Sequence, residues 1–382
     1  MKFVDRESAE TFLKLKKEIE TKRHRFAAFI GAGTSKFIGM PDWKELLENM
    51  NKEFNAKIDL EKKINQKIEF PKIAQEIFNH NPDTDKYLNF MKTQFEFTKT
   101  YHYSLHLKIL TLFKFIITTN FDLSFIKANN DLLNFAKLCT YGIKYQSVIH
   151  CFPNFKITEI DYKIGNILYL HGNINQEAYI FKYDEYYHFY PKYYNNLNGS
   201  TSIEMILKII FKELSLLFFG FSFNDKMFVK YLKYFYKEED DRDYEKIKKL
   251  FNKEIKPIRP NHYVLISENE IKDYFAYEDF SDIDSEKALD DQLISLLFDF
   301  KNGKYYFKDN FQHLYKYYVR SPKQIEKIGN LKKQIESNEE RRILFSELNI
   351  NVIKFKRKDY KVIEDIVINI IEDLNYEEEL SD

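Results

Sequence analysis

The stretch FAAFIGAGTSKFIGMPDW, residues 26–43, runs an apolar segment straight into Gly31-Ala32-Gly33-Thr34-Ser35 and then into Pro41-Asp42-Trp43. Two glycines at the end of a strand let main-chain N–H groups approach an anion with no Cβ in the way. The hydroxyls of Thr34 and Ser35 can donate to the same oxygens, and a helix starting just beyond would add a favourable dipole. That set can grip a diphosphate; the plainer alternative is a turn that needs glycine for its own backbone. Three later segments hold the other groups able to do chemistry: Thr119-Asn120-Phe121-Asp122, His171-Gly172 and Gly220-Phe221-Ser222-Phe223-Asn224-Asp225. The amide of Asn120 can hold a sugar hydroxyl or a water from either side. The imidazole of His171, with an ordinary pKa near ~6.5, can take a proton from either. Asp122 can orient these groups or offset developing positive charge. Each also has a structural alternative: Asn120 or Asp122 as a helix cap, His171 as a turn histidine, Trp43 and Phe121 as packing residues.

These residues are of use together only if elements bring them together. Five nearly continuous apolar runs read as buried parallel strands: Arg25–Ile30, Phe115–Thr118, Ile167–Leu170, Leu216–Phe219 and Tyr263–Ile266, with Asn351–Phe355 as a sixth. Helical spacing fills the intervals at Ser8–Lys22, Trp43–Phe54, Thr84–Phe95, His102–Leu112, Ile203–Leu214 and Asp225–Tyr236. Strand alternating with helix predicts an α/β fold, a doubly wound, mostly parallel Rossmann-like sheet with helices on both faces. Ligands of such sheets sit outside the carboxyl ends of the strands. The glycine turn, TNFD, HG and GFSFND each come directly after a predicted strand, so all of them fall on one rim.

Bulk composition narrows the function classes. The 382 residues suffice for one α/β domain and a smaller module, and Lys+Arg and Asp+Glu are both 59. Zero formal charge argues against a chain that coats nucleic acid, and no direct nucleic-acid binding is expected. The two cysteines, Cys139 and Cys151, form no CxxC pair, which excludes a disulfide scaffold or a cysteine zinc ribbon as the organising device. The charged start and the lack of a long apolar span predict a cytoplasmic protein with no membrane partner. The expected organisation is a catalytic core over 1–270 with a helical insertion at about 44–112, a mostly helical module over 271–348, and a closing strand, helix and acidic tail over 349–382. Within it, Ser321-Pro322 reads as the start of a helix running to about Leu348, and 236–260 as a charged excursion. His102 and His106 share a helical face, but no HExxH pattern accompanies them and packing is the expected role. The aromatic run around His188 reads as a hairpin or loop.

The glycine turn fits neither of two common cradles. Lys36 follows Ser35, so there is no GK[ST] ending, and Lys36 also stands where GxGxxG needs its third glycine. Hydride transfer is thereby disfavoured. GAGTS, GMPDW, TTNFD, LHG and FFGFSFND, in this order over roughly 20–270, instead resemble the sirtuin-like fold, and more closely its bacterial antiphage-defence branch. The resemblance implies that Gly31, Ala32, Gly33, Thr34 and Ser35 hold the NAD pyrophosphate, with Pro41, Trp43, Thr119 and Asp225 in the same binding set. It implies that Asn120 and Asp122 face the nicotinamide ribose, that His171 is the base, and that Gly220, Phe221 and Ser222 line the adenosine side. Asp184, in YIFKYDEYY, resembles a structural element of that family.

Departures from the zinc-bearing sirtuins bear on the reaction. Their four-cysteine ribbon has no counterpart here, no metal is expected, and Asp42-Trp43-Lys44 replaces their Asp-Phe-Arg. The implied activity is therefore NAD+ hydrolysis to nicotinamide and ADP-ribose, depleting NAD in antiphage defence, with NAD as substrate. The alternatives are a non-catalytic subunit that binds NAD or ADP-ribose, and a residual deacylase or ADP-ribosyltransferase. A homo-oligomer is expected, with helices between Leu289 and Leu348 as candidate contacts, and relatives pair with a HerA-like ATPase or a short argonaute.

Overall fold

The computed structural model describes residues 3, 5–36, 38–66, 68–96, 104–138, 146–153, 164–176, 178–190, 202–221, 223, 225, 228–230, 232–233, 260–267, 298–301, 304–307, 329, 336, 340–355 and 366–371. Seven strands make one sheet: β1 (Phe26–Ile30), β2 (Phe115–Thr118), β3 (Ser147–Cys151), β4 (Gly165–Tyr169), β5 (Ser215–Phe219), β6 (His262–Ser267) and, after a separate hairpin, β9 (Ile350–Phe355). Their order is β3-β4-β2-β1-β5-β6-β9 and every neighbouring pair is parallel. The hairpin, β7 (Phe298–Lys301) with β8 (Lys304–Phe307), is antiparallel. All five residues of β1, and all five of β5, are buried, as strands covered on both faces must be.

The chain order explains where a ligand belongs. From β1 the chain builds outward on one side through β2 and β4, then returns to β1's other side with β5 and builds outward again. The switch point lies between β1 and β5, and crevices in doubly wound sheets open there, beyond the strand ends. This is a Rossmann-like α/β architecture.

Alternate residues of β1 feed two cores. Ala27 and Phe29 pack with helix α10 (Ser202–Glu213) and the helix at 340–347. Phe26, Ala28 and Ile30 pack on the opposite face with α1 (Arg6–Lys22), α7 (Ser104–Leu112) and α8 (Ser124–Leu138). A third core belongs to a helical lobe of α3 (Trp43–Glu53), α4 (Leu60–Asn65), α5 (Phe70–His80) and α6 (Thr84–Phe95). The inserted lobe thus ends with α6, whereas α7, expected as part of the insertion, covers the sheet.

The lobe is pinned to the strand ends by rings. Trp43 stacks on Phe181 at 4.7 Å and 18°, and on Phe70 at 5.7 Å. Phe121, just past β2, meets Tyr179 and Phe181 edge-on. Asp42 starts α3 through a reciprocal cap with Glu45, its carboxylate accepting from the Glu45 N–H at 3.0 Å.

Sequence reading missed β3 and placed β4 two residues late at its start. β3 is an edge strand with Ile149 exposed, and its one buried residue, His150, is polar and bonds Asn166 at 3.1 Å. A strand of that kind has no continuous apolar run to detect. The run around His188 is not a hairpin or loop but helix α9 (Tyr183–Phe189). Glu185 accepts from the N–H groups of Phe181 and Lys182 and so starts the helix. Of the stretch expected to be a helix from Ser321, 340–347 is helical; 321–328, the excursion 236–259, Cys139, His102 and the acidic tail lie outside the described residues.

Candidate active site

The turns after β1 and β5 are in backbone contact. The N–H of Gly31 donates to the Phe219 carbonyl and that of Gly33 to the Gly220 carbonyl, both at 2.9 Å. A Cβ on Gly33 would lie 2.8 Å from the Gly220 Cα, and one on Gly220, whose φ is +57°, would lie 2.5 Å from the Thr34 nitrogen. Here glycine is required so that two strand ends can touch. The expectation that the N–H groups of Gly31 and Gly33 meet a diphosphate is corrected: both already have main-chain acceptors. Thr34 is turned inward too, its hydroxyl donating to the Gly31 carbonyl at 2.9 Å. Gly33 and Thr34 belong to the short helix α2 (Ala32–Lys36), which starts directly after Gly31.

Asn120 and Asp122 are built into the β2 end through Ser35. The Asn120 N–H is held by the Thr118 hydroxyl at 3.0 Å. Its side-chain amide donates to the Gly31 carbonyl at 3.1 Å and to the Ser35 Oγ at 2.9 Å. Ser35 in turn donates to Asp122 at 2.6 Å, while the other Asp122 oxygen accepts from the Ser124 N–H and hydroxyl at the start of α8. Both amide protons of Asn120 are therefore engaged, leaving its Oδ1 as the acceptor for a ligand. The carboxylate of Asp122 orients Ser35 and starts α8.

His171 follows β4 at a turn that needs glycine: Gly172 has φ +84°, and a Cβ there would lie 2.2 Å from the Ala178 carbonyl oxygen. The ring is 1% exposed and sits edge-on among Tyr186, Tyr190 and Phe228. Its Nε2 lies 3.0 Å from the Tyr190 hydroxyl. Burial lowers its pKa to about 3, against the expected value near 6.5. At neutral pH burial thus keeps the ring uncharged. Asp225 accepts from the Tyr186 hydroxyl and, at 3.0 Å, from the Phe228 N–H.

These walls meet around one cavity of about 500 Å³, within the range of ligand sites. Of the residues proposed from sequence, Ala32, Gly33, Ser35, Pro41, Trp43, Thr119, Asn120, Asp122, His171, Gly220, Phe221 and Asp225 line it. Gly31 and Thr34 stand behind that wall, and Ser222 lies outside the described residues. Sequence reasoning missed the lobe's Leu46, Ile64, Phe70 and Phe95, together with Lys36 on the rim. A hydrogen bond from Lys36 to Asp42 at 2.5 Å, aided by Glu45 at 3.3 Å, raises the lysine's pKa against the opposing effect of burial. It also missed Tyr186 and Tyr190. Their i, i+4 spacing, after the acidic first turn Asp184-Glu185, was the available signal.

The fold and the site together define a doubly wound α/β domain with a cavity of mixed polar and apolar lining at its switch point. A family model described as SIR2-like domain matches residues 114–290. The match supports a sirtuin-like relationship, with the NAD-related function and NAD binding that such domains imply. It begins one residue before β2, so the glycine turn and the helical lobe lie outside the matched span. No curated protein matches the chain. Among the described residues, no helix is long and apolar enough to cross a membrane.

Proposed function

We propose that the chain is an NAD+ glycohydrolase that cleaves NAD+ with water to nicotinamide, ADP-ribose and a proton, and that it serves as an NAD-depleting effector in antiphage defence. The observation that carries this reading is the convergence of Asn120, His171, Ser35 and Gly33 on a single cavity at the β1/β5 switch point. The sirtuin-like match adds the dinucleotide.

The bond that breaks joins C1′ of the ribose to the nicotinamide nitrogen, and its electron pair stays with the nitrogen. Nicotinamide leaves neutral, so the protein need supply no acid. Its task is to orient the sugar and to admit one water to C1′. Asn120 Oδ1 accepts from that water or from a ribose hydroxyl. Ser35 and Asp122 hold the amide in place, and the apolar lobe excludes further solvent. Trp43 and Phe70 wall the cavity on the lobe side, and Gly220, Phe221 and Asp225 wall it beyond β5.

A chain that destroys NAD must be restrained. A homo-oligomer, or a partner of the HerA-like ATPase or short argonaute kind, is proposed for that task. The test is NAD turnover by the purified chain, alone and with the product of the adjacent gene, followed as nicotinamide release. Turnover in either condition is the expected result; tight binding with no turnover in both would replace this reading with a non-catalytic NAD- or ADP-ribose-binding subunit. The observation favouring that second reading is the burial of His171, 1% exposed and bonded to Tyr190.

A further inference from the structure

Helix α9 places two tyrosines one turn apart against two different strand ends. Tyr186 donates to Asp225, beyond β5, and Tyr190, the residue that closes α9, meets His171, beyond β4. We infer that Tyr190 is a positioning residue: its hydroxyl donates to Nε2 of His171, which fixes the ring proton on Nδ1 and presents that N–H to the cavity as a donor. The inference rests on the cavity being the site where the sugar of NAD is held.

Three observations lead to it. The imidazole is caged by the rings of Tyr186, Tyr190 and Phe228 at centroid distances of 5.4, 6.2 and 5.5 Å, so it cannot turn freely. Tyr190 is its hydrogen-bond partner among the described residues, at 3.0 Å, which leaves Nδ1 for the cavity that His171 lines. A phenol O–H is a better donor than a neutral imidazole N–H, and an imidazole lone pair a better acceptor than a phenol oxygen, so the proton runs from Tyr190 to Nε2.

The charged neighbours are occupied elsewhere. Glu185 on α9 holds the Phe181 and Lys182 amides, and Asp225 holds Tyr186 and the Phe228 N–H. Across the cavity Asp122 is held by Ser35 and Ser124, and Lys36 by Asp42 and Glu45. None of these bonds reaches the imidazole.

The site then pairs an acceptor, Asn120 Oδ1, with a donor, His171 Nδ1–H. Such a pair is complementary to adjacent sugar hydroxyls, one donating and one accepting. It gives His171 an orienting role in place of proton removal.

Selective labelling of histidine with nitrogen-15 in the full-length protein reports the tautomer directly, with the His171 signals assigned by their loss in His171→Gln. The expected result is a protonated Nδ1 and a bare Nε2, unchanged from pH 8 to pH 5.5. In Tyr190→Phe, which keeps the ring and loses only the hydroxyl, the signals should move to a mixture of tautomers. In the same variant kcat for NAD cleavage should fall about tenfold while KM stays within about twofold. A proton on Nε2, a ring that titrates near its ordinary value, or wild-type signals in Tyr190→Phe would each overturn the inference. If the tautomer is as expected and no NAD is cleaved, the role of Tyr190 stands and the proposed hydrolysis fails.

Discussion

The two walls of the cavity are built on opposite principles. The strand-end wall is polar and already hydrogen-bonded within itself: Ser35 joins Asn120 to Asp122, Tyr190 holds His171, and Tyr186 holds Asp225. The lobe wall is largely apolar, with Trp43, Leu46, Ile64, Phe70 and Phe95 held by ring stacking and side-chain packing. A network in which each polar group has a partner can hold its remaining atoms, such as Asn120 Oδ1, at fixed points facing a ligand. An apolar wall gives no such direction, but it removes water and strengthens the electrostatics of what it covers. Chemistry is assigned to the first wall, and shape and desolvation to the second.

The sharpest way to break that division is at the polar wall. Asn120→Ala and His171→Ala should each lower kcat for NAD cleavage by about 100-fold or more, as loss of an orienting group does, with the fold retained by thermal melting. Turnover within a few-fold of wild type in either would remove the distinction between the walls. Gly220→Ala comes next and acts through stability, because its new Cβ would lie 2.5 Å from the Thr34 nitrogen at a φ of +57°. The expected cost is about 3 kcal/mol, read by chemical denaturation.

Acid should also act on the polar wall. With a folded pKa of about 3 against an ordinary 6.5, His171 contributes full stability above about pH 6.5 and loses it as pH falls toward 3, because only the unfolded chain takes up the proton. At pH 5 the loss is about 2 kcal/mol. His106, lowered by burial to about 4 despite the opposing charge of Asp122, adds to the same decline. Thermal melting at pH 7.5 and 5.0 should therefore show a smaller difference in His171→Gln than in wild type. The smallest effect belongs to the lobe. Trp43→Ala should raise KM several-fold with little change in kcat and cost about 2 kcal/mol, less than a fully buried tryptophan would. A large fall in kcat with KM unchanged would move Trp43 into the chemistry.

The polar wall was the more legible in sequence. Strong apolar runs located β1, β2 and β5, and the segments that leave the ends of parallel strands must lie on one rim. Asn120, Asp122, His171 and Gly220 could therefore be placed together from residue types and order alone. What each does could not be read that way. The expected N–H donors of Gly31 and Gly33 are used between two strand ends, a contact that depends on β1 and β5 being neighbours although they lie far apart in the chain. The neutral state of His171 depends on Tyr186, Tyr190 and Phe228 arriving from two other elements. The lobe wall left little trace, since Ile64, Phe70 and Phe95 are ordinary core residues in type and spacing. Only the packing of α3–α6 over the strand ends makes them a lining.

Trp43 is the chain's single tryptophan and it lines the cavity. Its fluorescence therefore reports whether a dinucleotide occupies the space between the two walls. Titration of the full chain with ADP-ribose should give a saturable change in emission. Emission that stays flat would contradict the account, whether calorimetry on the same sample finds binding elsewhere or none.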